Sequence, residues 1–347
     1  KTVANTNCAR LAVPCLSQAA VSQNNAVKLK SHGLKSPEHL IFRFFIKKLM
    51  KFFPVVFISL FILSCTGDRG KSETGGAVSY SIKNSSGVSL IVLGTIQDAG
   101  SPQIGCTKDC CKNLFMNPDK DRMVVSLGIT DAVNNKNYLI EATPDLTQQV
   151  RILKKYSPFS NKEMPDGIFL THAHIGHYSG LMYLGKEAKN ADSIPVYTMP
   201  RMKSFLEQNG PWSQLVKNKN VALQEMNDGK EIQLTKDLKI VPFIVPHRDE
   251  FSETVGYTIT GPNKNVLFIP DIDKWEKWNS NIIEAISKVD YAFIDATFYD
   301  AEEINNRDIS TIPHPFIIES MNRFKDLPVA EKKKIYFIHF NHTNPVI

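Results

Sequence analysis

Thr171-His172-Ala173-His174-Ile175-Gly176-His177 follows directly on the apolar run Gly167-Ile168-Phe169-Leu170 and leads into a second apolar segment, Ser179-Gly180-Leu181-Met182-Tyr183-Leu184. The pattern reads as a buried strand, a loop carrying three histidines, and a helix. Neutral imidazole nitrogen is a preferred ligand for zinc, iron and related divalent metals. Three imidazoles in six residues at a strand end therefore point to a metal site rather than to a polar loop that happens to hold histidine.

The remaining histidines fit that reading. The chain has nine, of which His32 and His39 lie in an N-terminal stretch set aside below. His247, His314, His339 and His342 each fall at or near the end of an expected strand, or in a proline-flanked turn. A metal site built from strand-end loops needs this distribution, because rigid strands position the loops and the loops carry the ligands.

The N-terminal region reads as export machinery. Lys47, Lys48 and Lys51 flank the 12-residue apolar run Phe52 to Leu63, which is too short to span a bilayer and suits the core of a signal peptide. It ends in Ile62-Leu63-Ser64-Cys65, which resembles a bacterial lipobox; residues 50–65 are then a lipoprotein signal peptide, with Cys65 lipidated as the mature N-terminus. The polar residues 66–76 form a flexible tether. A signal peptide stands at the start of its protein, so Met50 is the expected start and residues 1–49 are expected to be a spurious or disordered extension. The implied location is the bacterial cell envelope, with the domain lipid-anchored and facing the periplasm or exterior.

This segment also accounts for the basic balance. It holds nine of the 41 Lys/Arg and one of the 35 Asp/Glu, so the rest of the chain carries a net charge of −2 rather than the +6 of the whole. The composition gives no case for nucleic-acid binding.

Residues 77–347 are long enough for one large domain with a sizeable core. Strands are expected at 78–83, 88–94, 138–142, 167–171, 195–198, 220–224, 238–245, 254–260, 265–269, 291–295 and 335–339. Helices are expected at 145–156, 180–188, 201–209, 280–288 and 316–324, with Asp145 and Pro200 supplying helix-start chemistry. No internal repeat is visible. The order suggests helices packed outside a two-sheet sandwich. The chain ends at Asn344-Pro345-Val346-Ile347, just after a ligand-like loop, so one or more closing strands are expected beyond it.

The order of motifs is a strand, THAHIGH and a helix; then Val245-Pro246-His247-Arg248; then Phe268-Ile269-Pro270-Asp271; then Phe337-Ile338-His339. It resembles the metallo-β-lactamase superfamily. Leu93-Gly94-Thr95-Ile96-Gln97-Asp98-Ala99-Gly100-Ser101-Pro102-Gln103, Asp295-Ala296-Thr297-Phe298-Tyr299 and Ile338-His339-Phe340-Asn341-His342-Thr343-Asn344-Pro345 make it similar to the pyrroloquinoline-quinone biosynthesis protein B group. The resemblance covers about residues 88–347 and implies an α+β fold, the αββα metallo-β-lactamase-like sandwich.

Carried over residue by residue, the resemblance implies that His172, His174 and His247 form a first metal site. Asp271 then matches the carboxylate that bridges two metals, and His177 and His339 match ligands of a second site. The family pattern has Asp where this chain has Gly176, so the second site loses a carboxylate; Asp98 is a candidate substitute from another strand end. Asp273 and His342 are the alternates to Asp271 and His339. His314, in Ile312-Pro313-His314-Pro315, is a candidate proton donor to a leaving group, against the reading of a satisfied turn histidine. Asp295 either orients a ligand from behind or simply ends a strand. Trp212, Trp275 and Trp278 either wall a pocket or belong to the core.

Cys106, Cys110 and Cys111 form a CxxxCC cluster. Three thiolates with a further ligand could hold a structural zinc, and the resembled group is similar in carrying a cysteine-rich zinc knuckle in this loop. The alternative is a disulfide with one free thiol, although adjacent Cys110 and Cys111 are poorly placed to bond each other.

Three functions follow from these ligands. The first is a hydrolase that uses one or two divalent metals, zinc foremost with iron or manganese as alternatives. There a metal-activated hydroxide attacks an ester, lactone, amide or phosphodiester, with Asp271 and His314 as the catalytic pair. The second is a redox enzyme like the pyrroloquinoline-quinone group, using non-haem iron. The third is a non-catalytic metal- or ligand-binding lipoprotein, motivated by Gly176. The expected partners are a small-molecule substrate and a membrane reached through Cys65.

Overall fold

The computed structural model describes residues 87–347. The expected strand at 78–83, the signal segment and Cys65 lie outside them.

Among the described residues, twelve strands form two six-stranded sheets, each built in chain order. The first contains β1 (Val88–Gly94), β2 (Ser126–Asp131), β3 (Lys136–Ile140), β4 (Gly167–Phe169), β5 (Ile194–Thr198) and β6 (Val221–Glu225). The second contains β7 (Ile232–Thr235), β8 (Leu238–Ile244), β9 (Val255–Thr260), β10 (Asn265–Ile269), β11 (Tyr291–Asp295) and β12 (Ile335–Ile338). Each sheet starts with antiparallel hairpins and finishes with parallel strands. No sequence repeat announces this; the two halves share a layout without sharing residues.

Single-residue alternation sorts the side chains onto the two faces of each sheet. Phe169, Phe268 and Phe293 point into the space between the sheets, among Leu127, Ile140, Tyr257 and Ile338. Their neighbours Ile168 and Leu170 face outward onto α1 (Leu146–Tyr156), α3 (Pro200–Gln208) and α4 (Trp212–Lys217). Leu267, Ile269, Ala292 and Ile294 face outward onto α5 (Ile282–Ser287). The result is the expected helix–sheet–sheet–helix sandwich. Full burial of each large inter-sheet side chain contributes about 1.5–3 kcal/mol.

The aromatic packing next to the histidine loop is specific. Phe169 stacks on Tyr197 with centroids 4.2 Å apart and meets Tyr138 and Tyr257 edge-on. The Tyr257 hydroxyl, fully buried, donates to the Leu170 carbonyl. The backbone is thereby pinned immediately before Thr171.

Two strands escape sequence reading. β2 (SLGITD) is buried at all six positions, so it lacks alternation, and Gly128 weakens its strand signature. β7 is a four-residue edge strand. The helix expected at 180–188 is a short 3₁₀ segment, Ser179–Leu184, preceded by the single turn α2 (Ile175–Tyr178). Pro200 does open α3. Asp145 sits at the start of α1 but does not cap it; its carboxylate accepts from the Val124 N–H at 2.8 Å and ties the helix to the segment just before β2.

Candidate metal centre

The C-terminal ends of β3, β4, β8, β10, β11 and β12 open toward one place. Glu141, the 171–177 loop, His247, Asp271, Asp295 and His339 follow those strands in turn. Asp271 is at the centre. His247 Nε2 lies 3.3 Å and His314 Nδ1 3.2 Å from its Oδ1. His172 Nε2, His339 Nε2 and His177 Nε2 lie 3.4, 3.7 and 3.8 Å from its Oδ2. Two compact ligand-like groups share this carboxylate: His172, His174, His247 and Asp271, and Asp271, Asp295, His314 and His339.

The chemistry of the donor atoms is decisive. The Nε2 atoms of His172, His177, His247 and His339 and the Asp271 Oδ1 are buried, and none has a hydrogen-bond partner. Burying an unpaired polar atom costs about 1–3 kcal/mol each, so converging five of them is intelligible only if something else satisfies them. Divalent metal fits: the atoms are all nitrogen and carboxylate oxygen, the preferred ligands of zinc and its neighbours. His174 and His314 have side chains 14% and 10% exposed, whereas the other imidazoles are essentially sealed, so these two mark the open side.

Behind the ligands sits a set of groups that the sequence reading did not single out. Glu141, fully buried, accepts from the Thr171 hydroxyl at 2.5 Å and meets His177 Nδ1 at 3.2 Å. The Thr171 hydroxyl lies 2.9 Å from His172 Nδ1. Thr297 Oγ1 donates to Asp295 at 2.7 Å and lies 2.7 Å from His339 Nδ1. Each contact occupies Nδ1 and leaves Nε2 turned to the centre, the usual way a protein orients metal-binding imidazoles. Glu141 and His339 both hold left-handed backbone, with φ of 77° and 65°. Such strain costs of order 1–3 kcal/mol and concentrates at functional sites. A lone Glu at a strand end carries no motif; only the fold shows what it touches.

Electrostatics divide the histidines into two kinds. Burial holds His172 and His339 well below the ordinary imidazole range and brings His247 to about 4. Burial also opposes charge on His177, but Glu141, Asp98 and Asp271 outweigh it and raise it to about 9. For His314, the Asp295 and Asp271 carboxylates outweigh burial and raise it to about 10. Burial would raise the Asp271 carboxyl, yet the surrounding imidazoles hold it well below the usual range. Metal entering the His177 side must therefore displace a proton, whereas His172 and His247 are already free bases. Loading that side at pH 7 to 8 is expected to release about one proton per metal and to tighten as pH rises toward 9. Calorimetry in buffers of different ionisation heat measures it; no proton release would contradict the charge on His177.

Other expectations are placed as follows. Asp295 faces the centre from behind: its oxygens accept from the Ile272 and Thr297 N–H groups, the Thr297 hydroxyl and His314 Nδ1 at 2.7–3.1 Å. These four bonds give it contacts that a residue merely ending a strand would not need. Asp273 is not at the centre; its Oδ2 pairs with Lys277 at 2.8 Å. His342 is not there either. It joins Cys106, Cys110 and Cys111 in a third ligand-like group, because the chain turns at His342 and Thr343 after β12. The Cys110 sulfur stands 3.8 Å from those of Cys106 and Cys111, and all three cysteines are free of disulfides. Asp98 lies against Gly176, outside the compact groups.

The tryptophans belong to the packing. Trp212 packs on Tyr178 and Phe205, Trp275 donates to Ser320, and Trp278 stacks on Phe243. A cavity of about 380 Å³ lies instead beside the cysteine loop, lined by Ile104, Lys108, Phe298, Ile304, Asn341 and Thr343 among others. It adjoins the centre through Phe298, whose ring meets His314 edge-on at 5.9 Å.

Comparison with known proteins agrees with this architecture. Residues 136–340, more than half of the chain, match the family described as "Beta-lactamase superfamily domain". No curated protein matches the sequence. Among solved structures, Zn(2+)-bound PqqB from Methylobacterium extorquens is similar at 20% identity and a TM-score of 0.58, over 74% of this chain and 90% of that one. A diphosphatase from the PhnP family is similar at 22% identity and a TM-score of 0.52, over 74% of this chain and 88% of that one. At these identities the likeness establishes the fold. With the family match covering the ligand loops from Glu141 to His339, the chain belongs to the beta-lactamase superfamily, in its metallo-β-lactamase fold, whose members are generally metal-dependent hydrolases.

Proposed function

We propose that this protein is a metal-dependent hydrolase acting on a small-molecule ester, lactone, amide or phosphodiester. The observation that carries the reading is the convergence of four unpartnered imidazole nitrogens on one buried carboxylate. His172, His174, His247 and Asp271 would hold one divalent ion, zinc first, and His177 and His339 would face a second across Asp271. Bound there, such an ion supplies Lewis acidity and brings the pKa of water toward about 7.

The chain's own residues do the rest. Glu141 and Thr171 fix the His177 and His172 rings, and Thr297 fixes His339. In the metal-free site the Asp295 and Asp271 carboxylates favour a proton on His314, whose Nδ1 lies 2.9 Å from Asp295 and 3.2 Å from Asp271. Standing at the open side, it is the group placed to protonate a leaving group. The adjoining cavity has the size of a small-molecule site. The cysteine group with His342 has the donor set of a structural zinc, three sulfurs and one imidazole. It would join the 103–111 loop to the segment after β12.

The test is elemental analysis of the purified protein, followed by assays with p-nitrophenyl esters and bis-p-nitrophenyl phosphate. Zinc or manganese content with turnover in the absence of reductant supports the reading. Iron with oxygen consumption would replace it with an oxidoreductase, and stoichiometric binding without turnover with a binding protein.

We also propose that the protein is lipid-anchored through Cys65. Among the described residues no helix is long and apolar enough to cross a membrane, and the 12-residue run Phe52 to Leu63 is too short to span a bilayer. Cys65→Ala is expected to move the protein from the membrane to the soluble fraction. Mass spectrometry of the N-terminus must accompany the fractionation, since an uncleaved signal could itself retain the protein. A correctly processed variant still in the membrane would refute the anchor.

A further inference from the structure

The second side of the centre is short of a carboxylate. His177 and His339 each bring one unpartnered buried Nε2, with their rings 5.4 Å apart, and Asp271 is shared with the other side. The neighbouring acids are already used. Asp295 accepts from four donors, and Glu141 is taken by Thr171 and His177 Nδ1. Two neutral imidazoles and a shared carboxylate leave a divalent ion both under-coordinated and under-compensated.

Asp98, whose carboxylate accepts from the side-chain amide of its neighbour Gln97, is brought to this side by construction. The segment after β1 is tied to the residue that follows His339: Phe340 N–H donates to Thr95 O and Gln97 N–H donates to Phe340 O, both at 2.8 Å. Ile96, 2% exposed, bridges Phe340 and Val124 in the same step. This tie lays Asp98 directly on Gly176, the residue before His177. A Cβ on residue 176 would stand 3.0 Å from the Asp98 carbonyl carbon, and it would overlap the Asp98 Cα and Cβ outright. Gly176 does not hold a positive φ. It is glycine for room, not for backbone freedom, and the room is filled by Asp98.

We propose that Asp98 supplies the carboxylate that completes the metal set of His177, His339 and Asp271, and that residue 176 is glycine to admit it. The inference rests on the proposed metal centre and adds a ligand delivered from a different loop. It also changes what an acid at 176 would do. Gly176→Asp cannot simply add a second carboxylate, because any side chain there must first push the Asp98 backbone away.

The experiment loads the full-length chain, purified with its native metals removed, with Co²⁺ and Zn²⁺. Bound equivalents are counted by elemental analysis, affinities are read by calorimetry, and the visible spectrum of the cobalt form is recorded. Asp98→Asn keeps the shape and removes the charge. It is expected to weaken the second equivalent at least tenfold and to remove its contribution to the cobalt spectrum, while the first equivalent and the circular dichroism stay as in wild type. Gly176→Ala, which moves Asp98 without touching its charge, is expected to lose the same equivalent. An Asp98→Asn protein that binds as many equivalents as wild type, the cysteine group's included, with wild-type affinity and spectrum would overturn the assignment. His172→Ala, carried alongside, separates the two levels. If it too retains every equivalent, the metal centre itself is wrong; if it loses the first equivalent while Asp98→Asn loses nothing, only the role of Asp98 falls.

Discussion

Replacing His172 or His174 by alanine is expected to abolish tight metal binding at the first group. Each histidine is one of four donors there with His247 and Asp271, and removing one opens the coordination sphere. Losing even a partner behind a metal ligand costs about 10- to 100-fold in affinity, so loss of a ligand itself should exceed about 100-fold. The two positions should differ in what the variant leaves behind. His172 is sealed, so its removal leaves a buried hole beside Thr171, whereas His174 sits at the open side against Glu250 at 3.1 Å. Compared with metal-free wild type, His174→Ala should therefore melt nearly unchanged, and His172→Ala lower. Full metal content in both variants would remove the basis for the proposed centre.

Asp271→Asn is expected to have the larger effect on activity, because Asp271 belongs to both ligand-like groups. An amide keeps the shape but carries no charge and offers one good ligand atom in place of two. Both metal equivalents should weaken, and hydrolysis should fall by more than about 100-fold, beyond the upper range for losing an outer partner. His177 and His314 also owe part of their raised pKa to this carboxylate. In the metal-free variant both imidazoles should titrate at lower pH, a shift readable by NMR of the histidine ring protons. Wild-type turnover in Asp271→Asn would exclude a shared carboxylate from the chemistry.

Several parts of this site were legible in the residues alone. The apolar run before THAHIGH can only be a buried strand, and a strand end is where loops gather ligands. Asp271 and His339 likewise follow runs that match β10 and β12 almost residue for residue. These positions are legible because the signal is local: one apolar segment, one terminus, one ligand type.

Other parts were not local. His342 and Asp273 look like ligands in sequence because they stand two or three residues from true cluster members, but a turn of the chain sends one to the cysteines and the other to Lys277. Glu141, Thr171 and Thr297 are ordinary strand-end residues, and their role is to hold Nδ1 atoms that belong to other segments. The layout shared by the two sheets leaves no trace in the residues, since packing selects for apolar character at alternating positions and not for identity.

The sequence by itself determined the class of the fold and the metal-binding character of its loops, because strand periodicity and ligand chemistry are properties of short segments. Which donors meet, which imidazoles are charged, and why residue 176 must be glycine were decided by the tertiary structure alone. Those depend on distances between segments far apart in the chain, such as Asp98 and Gly176, and no local pattern encodes such a distance.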